Sequence, residues 1–95
     1  MMPARIKGTL TASQKAGTAP VGRYLLVEPC NERGEPAGSV FVAFDTVGAG
    51  TGEVVIVARG SSARQTAETK DTPVDAVIVG IVDLIEKKRK VVFKR

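Results

Sequence analysis

The fold is decided by residues 40–57, which read VFVAFDTVGAGTGEVVIV. Two β-branched and aromatic runs, at 40–44 and 53–59, flank a glycine-rich connection. In both runs the two alternating sets of side chains are apolar, whereas a half-exposed antiparallel strand places polar residues on one face. The links between consecutive strands are too short for the crossovers that cover both faces of a parallel sheet. A small domain cannot bury both faces alone, so we expect another copy of the chain to cover the second face.

The rest of the chain continues an all-β pattern, in which Gly, Pro and Asp clusters separate apolar runs. Strands are predicted at 4–12, 23–28, 40–44, 53–59 and 74–85, and residues 91–93 can add a short sixth strand. The one helix signal is Ser62 with Gln65, which have the spacing of a capping box. This signal predicts an α-helix of about two turns that ends before Pro73.

Length and composition predict a single domain that stays in the cytosol. The 95 residues contain no apolar run long enough to span a bilayer. The N-terminal residues lack the apolar core of a signal peptide, so we expect that the protein is not exported. The single cysteine, Cys30, cannot form an internal disulfide, which fits a reducing compartment.

The sequence contains no histidine, which removes the imidazole base and the Ser-His and Cys-His nucleophile pairs. With one cysteine, a structural zinc site is also excluded. Four acids near strand ends can in principle form a catalytic carboxylate pair: Asp45, Glu53, Asp75 and Asp83. Acids at such positions more often accept hydrogen bonds from loop amides or arginines. We therefore predict no catalytic residue, no metal site and no cofactor.

The segment Gly48-Ala49-Gly50-Thr51-Gly52 resembles a phosphate-binding loop only superficially. Such loops place a helix N-terminus after the glycines, but here the strand 53–59 follows and no Gly-Lys-Ser/Thr is present. The glycines favour a strand connection that needs positive φ angles or close backbone approach. A metabolite-binding protein or small enzyme with its site at this segment remains one rival prediction.

The segment Gly60-Ser61-Ser62-Ala63-Arg64 places serines beside a cation, as a nucleophile site would. With no histidine and no lysine placed as a base, helix capping is favoured over catalysis. For Arg64 two interpretations stay open. It either pairs with a carboxylate across a subunit boundary or faces water.

The run Lys87-Lys88-Arg89-Lys90 raises the alternative of a nucleic-acid-binding module. The chain has only four aromatic residues, and at least two lie in core-like strands. A single-strand binder needs aromatic side chains on which bases stack. The pattern therefore favours a solvated turn, and nucleic acid is not the expected partner.

Five segments, in this order, resemble the EutN/CcmL family of bacterial microcompartment vertex proteins. They read GTLTASQK at 8–15, LLVEP at 25–29, DTVGAGTGE at 45–53, GSSAR at 60–64 and PVDAVIVGIVD at 73–83. Together they span nearly the whole chain. Residues 86–95 depart from the resemblance, because this basic extension varies among family members.

The resemblance implies an OB-like five-stranded β-barrel with one short α-helix, at 1–86, followed by a basic C-terminal extension at 87–95. It also implies a homopentamer that caps the vertices of a cytoplasmic microcompartment shell, with hexagonal shell proteins as partners. By analogy with the family, the subunit interface or five-fold axis would include Asp45, Thr46, Gly48, Gly50, Gly52, Glu53, Gly60, Ser61, Ser62 and Arg64. Lys15 would contact a neighbouring shell tile.

Overall fold

The computed structural model describes residues 1–11, 17, 19, 21–66 and 74–95. These residues form seven strands and one 3-10 helix. In chain order these are β1 (Met2–Leu10), β2 (Arg23–Pro29), β3 (Phe41–Asp45), β4 (Val54–Arg59), the 3-10 helix (Gly60–Arg64), β5 (Ala76–Ile81), β6 (Leu84–Lys87) and β7 (Lys90–Lys94). The predicted all-β class is confirmed.

Five strands form a closed barrel in the order β1-β2-β3-β5-β4, and β4 pairs with β1 to close it. Closure removes the exposed sheet edges that would otherwise pair with other chains. All pairs are antiparallel except β3–β5, where Phe44 lies opposite Val77 and Asp45 opposite Ile78. The expectation that the links between strands are too short for parallel pairing is therefore wrong at this pair. The chain between β3 and β5 passes through β4, which makes the crossover long enough.

The barrel interior is filled by aliphatic side chains from all five strands. Its most buried members, each at most 1% exposed, are Ala4, Ile6, Leu25, Val27, Ala43, Ala49, Val55, Val57 and Ile78. Full burial of one such large aliphatic side chain stabilises the fold by about 1.5–3 kcal/mol. The predicted alternation of β1 holds at Ala4 and Ile6, but a register shift between Ile6 and Gly8 interrupts it, and Leu10 is 43% exposed.

A second, smaller core lies on the outside of the barrel. Ala63, from the 3-10 helix, packs on Phe44, Ala58 and Val77. The predicted α-helix capped by Ser62 is replaced here by a 3-10 helix at Gly60–Arg64, and no side chain caps its N-terminus. The second half of that predicted helix lies outside the described residues.

The predicted fifth strand, 74–85, is divided into β5 and β6. The break falls at Val82 and Asp83, where the Val82 amide donates to the Val54 carbonyl at 2.8 Å. The strand β6 then leaves the barrel and pairs with β7, which confirms the predicted C-terminal hairpin strand. The hairpin, Leu84–Lys94, spans the predicted domain boundary after residue 86, and that boundary stays a prediction.

Candidate assembly surface and its supporting loops

Asp45 organises the glycine-rich loop that follows β3. Its side chain is 1% exposed, and its carboxylate accepts hydrogen bonds from three backbone amides and from Arg23. The amide donors are Val47 at 3.0 Å, Gly48 at 3.1 Å and Ala49 at 3.0 Å. Arg23 donates at 3.2 Å to the carboxylate and to the Ala49 carbonyl. The buried charge is thus compensated inside the chain, as expected of an acid at a strand end.

The same loop is fixed by two further side chains. The Thr46 hydroxyl donates to the Ile78 carbonyl at 2.6 Å, which ties the loop to β5. The Glu53 carboxylate accepts a hydrogen bond from the Gly50 amide at 2.6 Å. Gly48 and Gly52 have φ angles of 74° and 90°, so the positive φ predicted for this segment is confirmed. No helix follows the glycines, and the phosphate-loop interpretation finds no support in this geometry.

Arg5 joins two distant loops, a role that was not predicted from the sequence. Its guanidinium donates to the Gly52 carbonyl at 2.7 Å and to the Gly34 carbonyl at 2.9 Å. It also lies 5.8 Å from the centre of the Phe93 ring, which is a cation–π contact with β7. Alternation along β1 correctly places Arg5 outside the barrel. Its partners, 29 and 47 residues away, give no sequence signal.

Ion pairs hold the C-terminal hairpin against the loops of the barrel. Arg95 forms ion pairs with both Glu53 and Asp83. The distance from Arg95 Nη1 to Asp83 Oδ1 is 3.1 Å. The hydrogen bond to Asp83, with the charge of Glu53, raises the pKa of Arg95. At the other end of the hairpin, Lys87 lies 2.8 Å from Glu32 and lowers the pKa of that carboxyl through the hydrogen bond.

The serine segment is tied to the chain before β5 by two hydrogen bonds. The Gly60 amide donates to the Asp75 carbonyl at 2.8 Å, and Ser61 and Ser62 are exposed. The Arg64 guanidinium donates to the Val74 carbonyl at 3.3 Å, so within one chain it has a backbone partner. Whether it also pairs across a subunit boundary stays a prediction.

Three of the four strand-end acids have structural partners for their carboxylates: Asp45 binds loop amides, and Glu53 and Asp83 bind Arg95. Asp75 is exposed and accepts a hydrogen bond from the Gly60 amide through its backbone carbonyl. The described residues include no group of three His, Cys, Asp or Glu side chains that could hold a metal ion. Cys30 is buried, and its desolvation raises the pKa of the thiol. Lys15 lies outside the described residues, as do the other residues of its loop at 12–16.

Apolar side chains remain uncovered on the outside of the barrel. We call Val40, Val42 and Ile56 the outer apolar surface; they are 49%, 40% and 37% exposed. Val42 borders a cleft of about 230 Å³ that is also lined by Ala19, Tyr24, Phe44, Val74, Asp75 and Ala76. The two-sided apolar character inferred from residues 40–57 is therefore present. One face fills the barrel, and part of the other faces solvent in the single chain.

Comparison with known proteins gives one consistent family. The family model described as "Ethanolamine utilisation protein EutN/carboxysome" matches residues 1–83. The carboxysome shell vertex protein CcmL of Gloeobacter violaceus is 38% identical over 95 residues, which cover 100% of this chain and 95% of that protein. The bacterial microcompartment shell vertex protein EutN of Salmonella typhimurium is 45% identical over 73 residues, covering 77% of this chain and 74% of that protein.

Solved structures agree with the sequence relatives. The structure of Gloeobacter violaceus CcmL superposes with a TM-score of 0.93 at 38% identity, covering 100% of this chain and 98% of that one. The GrpN pentameric microcompartment shell protein of Rhodospirillum rubrum superposes with a TM-score of 0.82 at 41% identity, covering 92% and 99%. These relatives favour a shell protein over the nucleic-acid-binding alternative. No helix in the described part of the chain is long and apolar enough to cross a membrane. The chain belongs to the EutN/CcmL family.

Proposed function

We propose that this chain is a structural shell protein, without catalytic activity, whose homopentamers cap the vertices of a bacterial microcompartment. The observation that carries the proposal is the outer apolar surface of a barrel whose interior is already filled. Exposed valine and isoleucine side chains on a small domain favour association with another protein surface. The relatives supply the order of the ring, since GrpN is a pentameric shell protein.

A ring of identical subunits needs two different contact surfaces on each copy, because head-to-tail contacts repeat around the axis. Val42, beside its cleft on β3, and Ile56, on β4, are candidates for these two surfaces. An apolar side chain of the next subunit would fill the cleft and add contacts that the single chain lacks.

The loop at 45–53 and the turn at 60–64 are proposed to border the same interface. Gly48, Gly52, Ser61 and Ser62 are exposed in the single chain and therefore accessible to a neighbour. Asp45 is buried and would act indirectly, by fixing the loop backbone that meets the neighbour. Preorganised backbone reduces the entropy that is lost when subunits associate.

Vertex capping follows from geometry once the ring has five members. A flat hexagonal layer cannot close on itself, so five-fold units must supply curvature where a polyhedral shell is to close. Hexagonal microcompartment shell proteins are accordingly the proposed partners, and the shell is the proposed location. Lys15 remains a proposed contact to such a tile.

The test is size-exclusion chromatography with light scattering on purified protein. We expect a particle of five times the 10.0 kDa chain mass. Val42→Asp should dissociate it, because the interface would bury an unpaired carboxylate. Val21→Asp is the matched control, since this loop valine is 92% exposed and should tolerate the charge.

Two outcomes would contradict the proposal in different ways. A wild-type monomer at micromolar concentration would overturn the ring itself. A Val42→Asp protein that stays as fully assembled as Val21→Asp would overturn the assignment of the interface to β3.

A further inference from the structure

The C-terminal hairpin carries the positive charge of the chain. Residues 84–95 contain six of the 14 Lys and Arg residues and only one of the 10 acids. Residues 1–83 hold the other eight cations against nine acids, so they are close to neutral. The formal net charge of +4 is therefore concentrated in one small two-stranded element.

Three of these cations, Lys87, Lys88 and Lys90, line a shallow depression at the tip of the hairpin. It measures about 320 Å³ and is lined by Arg33, Lys87, Lys88, Lys90 and Val92. One carboxylate is already bound beside it, because Glu32 lies 2.8 Å from Lys87. The basic side chains are exposed, so water and salt weaken each single contact, and firm binding requires several carboxylates at once.

The backbone of the turn is a second, independent observation. Lys88 and Arg89 have φ angles of 54° and 65°, a region that side chains other than Asn, Asp and Gly adopt infrequently. Two-residue hairpin turns with both φ angles positive strongly prefer Asn-Gly. Here two cations occupy these positions despite the conformational cost. Strained residues of this kind cluster at binding sites, where their side chains are needed.

The surroundings of the cations favour a peptide over nucleic acid. Val92 lines the depression and Val91 is 55% exposed, which places apolar surface beside the charges. Among the described strands, β6 and β7 pair only with each other, so each has an unpaired edge that an extended peptide can join. The one aromatic ring of the hairpin, Phe93, contacts Arg5 and Gly34 and is only partly exposed, which leaves no stacking platform for bases.

We propose that the tip of the hairpin, around Arg33, Lys87, Lys88 and Lys90, binds an acidic, extended segment of another protein. The carboxylates of the segment pair with the cations, and its alternate apolar side chains lie on Val91 and Val92. In a homopentamer the site would occur five times, but the site itself is formed within one chain.

The test uses fluorescence anisotropy with the full chain and a labelled peptide of alternating Glu and Val. We expect binding that weakens steeply between about 50 and about 200 mM salt, as contacts between exposed charges do. A peptide of alternating Gln and Val, with no charge, should not bind. Labelled single-stranded DNA should bind more weakly than the acidic peptide.

The variant Lys88→Asn with Arg89→Gly separates binding from folding. It installs the preferred turn, so its melting temperature should equal or exceed that of the wild type. It also removes the site cation Lys88 and the charge of its neighbour Arg89, so its affinity for the Glu-Val peptide should fall about tenfold. The control Lys7→Asn removes a cation from β1, where Lys7 pairs with Glu28, and should leave the affinity unchanged.

Unchanged affinity in the double variant would overturn the inference, as would equal binding of the uncharged peptide or tighter binding of DNA. Light scattering on the same samples measures the oligomeric state, so peptide binding at the hairpin is tested separately from the proposed pentamer. Loss of peptide binding by an intact ring contradicts only this inference, whereas peptide binding by a monomer contradicts only the proposed function.

Discussion

Replacing Asp45 by alanine tests the loop that follows β3, on which the proposed interface depends. The buried carboxylate accepts hydrogen bonds from the amides of Val47, Gly48 and Ala49 and pairs with Arg23. Val47 and Gly48 are exposed, so their amides can bind water after the substitution. Ala49 is fully buried, so its amide would lose its partner without replacement.

The expected loss of unfolding free energy follows from these contacts. An orphaned buried amide costs about 1–3 kcal/mol, and the loss of charge-assisted hydrogen bonds adds a similar amount. We expect Asp45→Ala to lower the free energy of unfolding by about 3 kcal/mol. A domain of this size has about 5–15 kcal/mol of stability in total, so the loss is large. It corresponds to a fall in melting temperature of about 12–24 °C.

The assay is urea denaturation followed by circular dichroism, with every variant at one protein concentration because association stabilises the native state. Asp83→Ala is the matched control. Its side chain is 77% exposed and its partner Arg95 keeps Glu53, so it should lose less than about 1 kcal/mol. If Asp45→Ala loses no more than Asp83→Ala, the loop is not held by this carboxylate and the reasoning fails.

Three further predictions follow from the contacts. Gly34→Ala should destabilise the chain more than Gly48→Ala, although both glycines have positive φ. A Cβ at Gly34 would lie 2.9 Å from the Phe93 ring, whereas a Cβ at Gly48 would have no neighbour within 4 Å. Equal melting temperatures of the two variants would contradict this prediction. Cys30 should react slowly with a disulfide reagent near pH 8 and quickly in urea, because burial shields the thiol and raises its pKa; equal rates would show an accessible thiol. The contact of Glu32 with the hairpin lowers the pKa of this carboxyl, so its contribution to stability is present above its ordinary pKa of 4.5 and is lost as pH falls through the lower, folded value. Glu32→Gln should therefore flatten the pH dependence of melting at pH values below 4.5, and an unchanged profile would refute the contact.

Local pattern predicted the barrel strands because their apolar periodicity is strong. Residues 40–57 indicated two apolar faces, and the structure has one inside the barrel and one partly exposed. The sequence pattern did not predict features that depend on how distant strands pair. The parallel pairing of β3 with β5 depends on the position of β4. Leu10 continues the apolar alternation of β1, but it follows the register shift after Ile6 and is exposed.

The supporting contacts were predictable only where they are local. Asp45 binds amides two to four residues ahead, which is a known use of acids at strand ends. Arg5 and Arg95 instead bind groups tens of residues away, and one sequence carries no signal for such pairs. The short helix was placed correctly near residue 60, but its described part, Gly60–Arg64, is a 3-10 helix whose Ala63 packs on the barrel.

Electron microscopy of microcompartments assembled with and without this chain tests the central claim most directly. Hexagonal shell proteins would be expressed together with the wild-type chain, with the Val42→Asp variant, or alone. We expect closed polyhedral particles, with this chain at the five-fold vertices, only when the wild type is present. Closed shells of normal shape in its absence, or wild-type chain found away from the vertices, would contradict its role as a vertex cap.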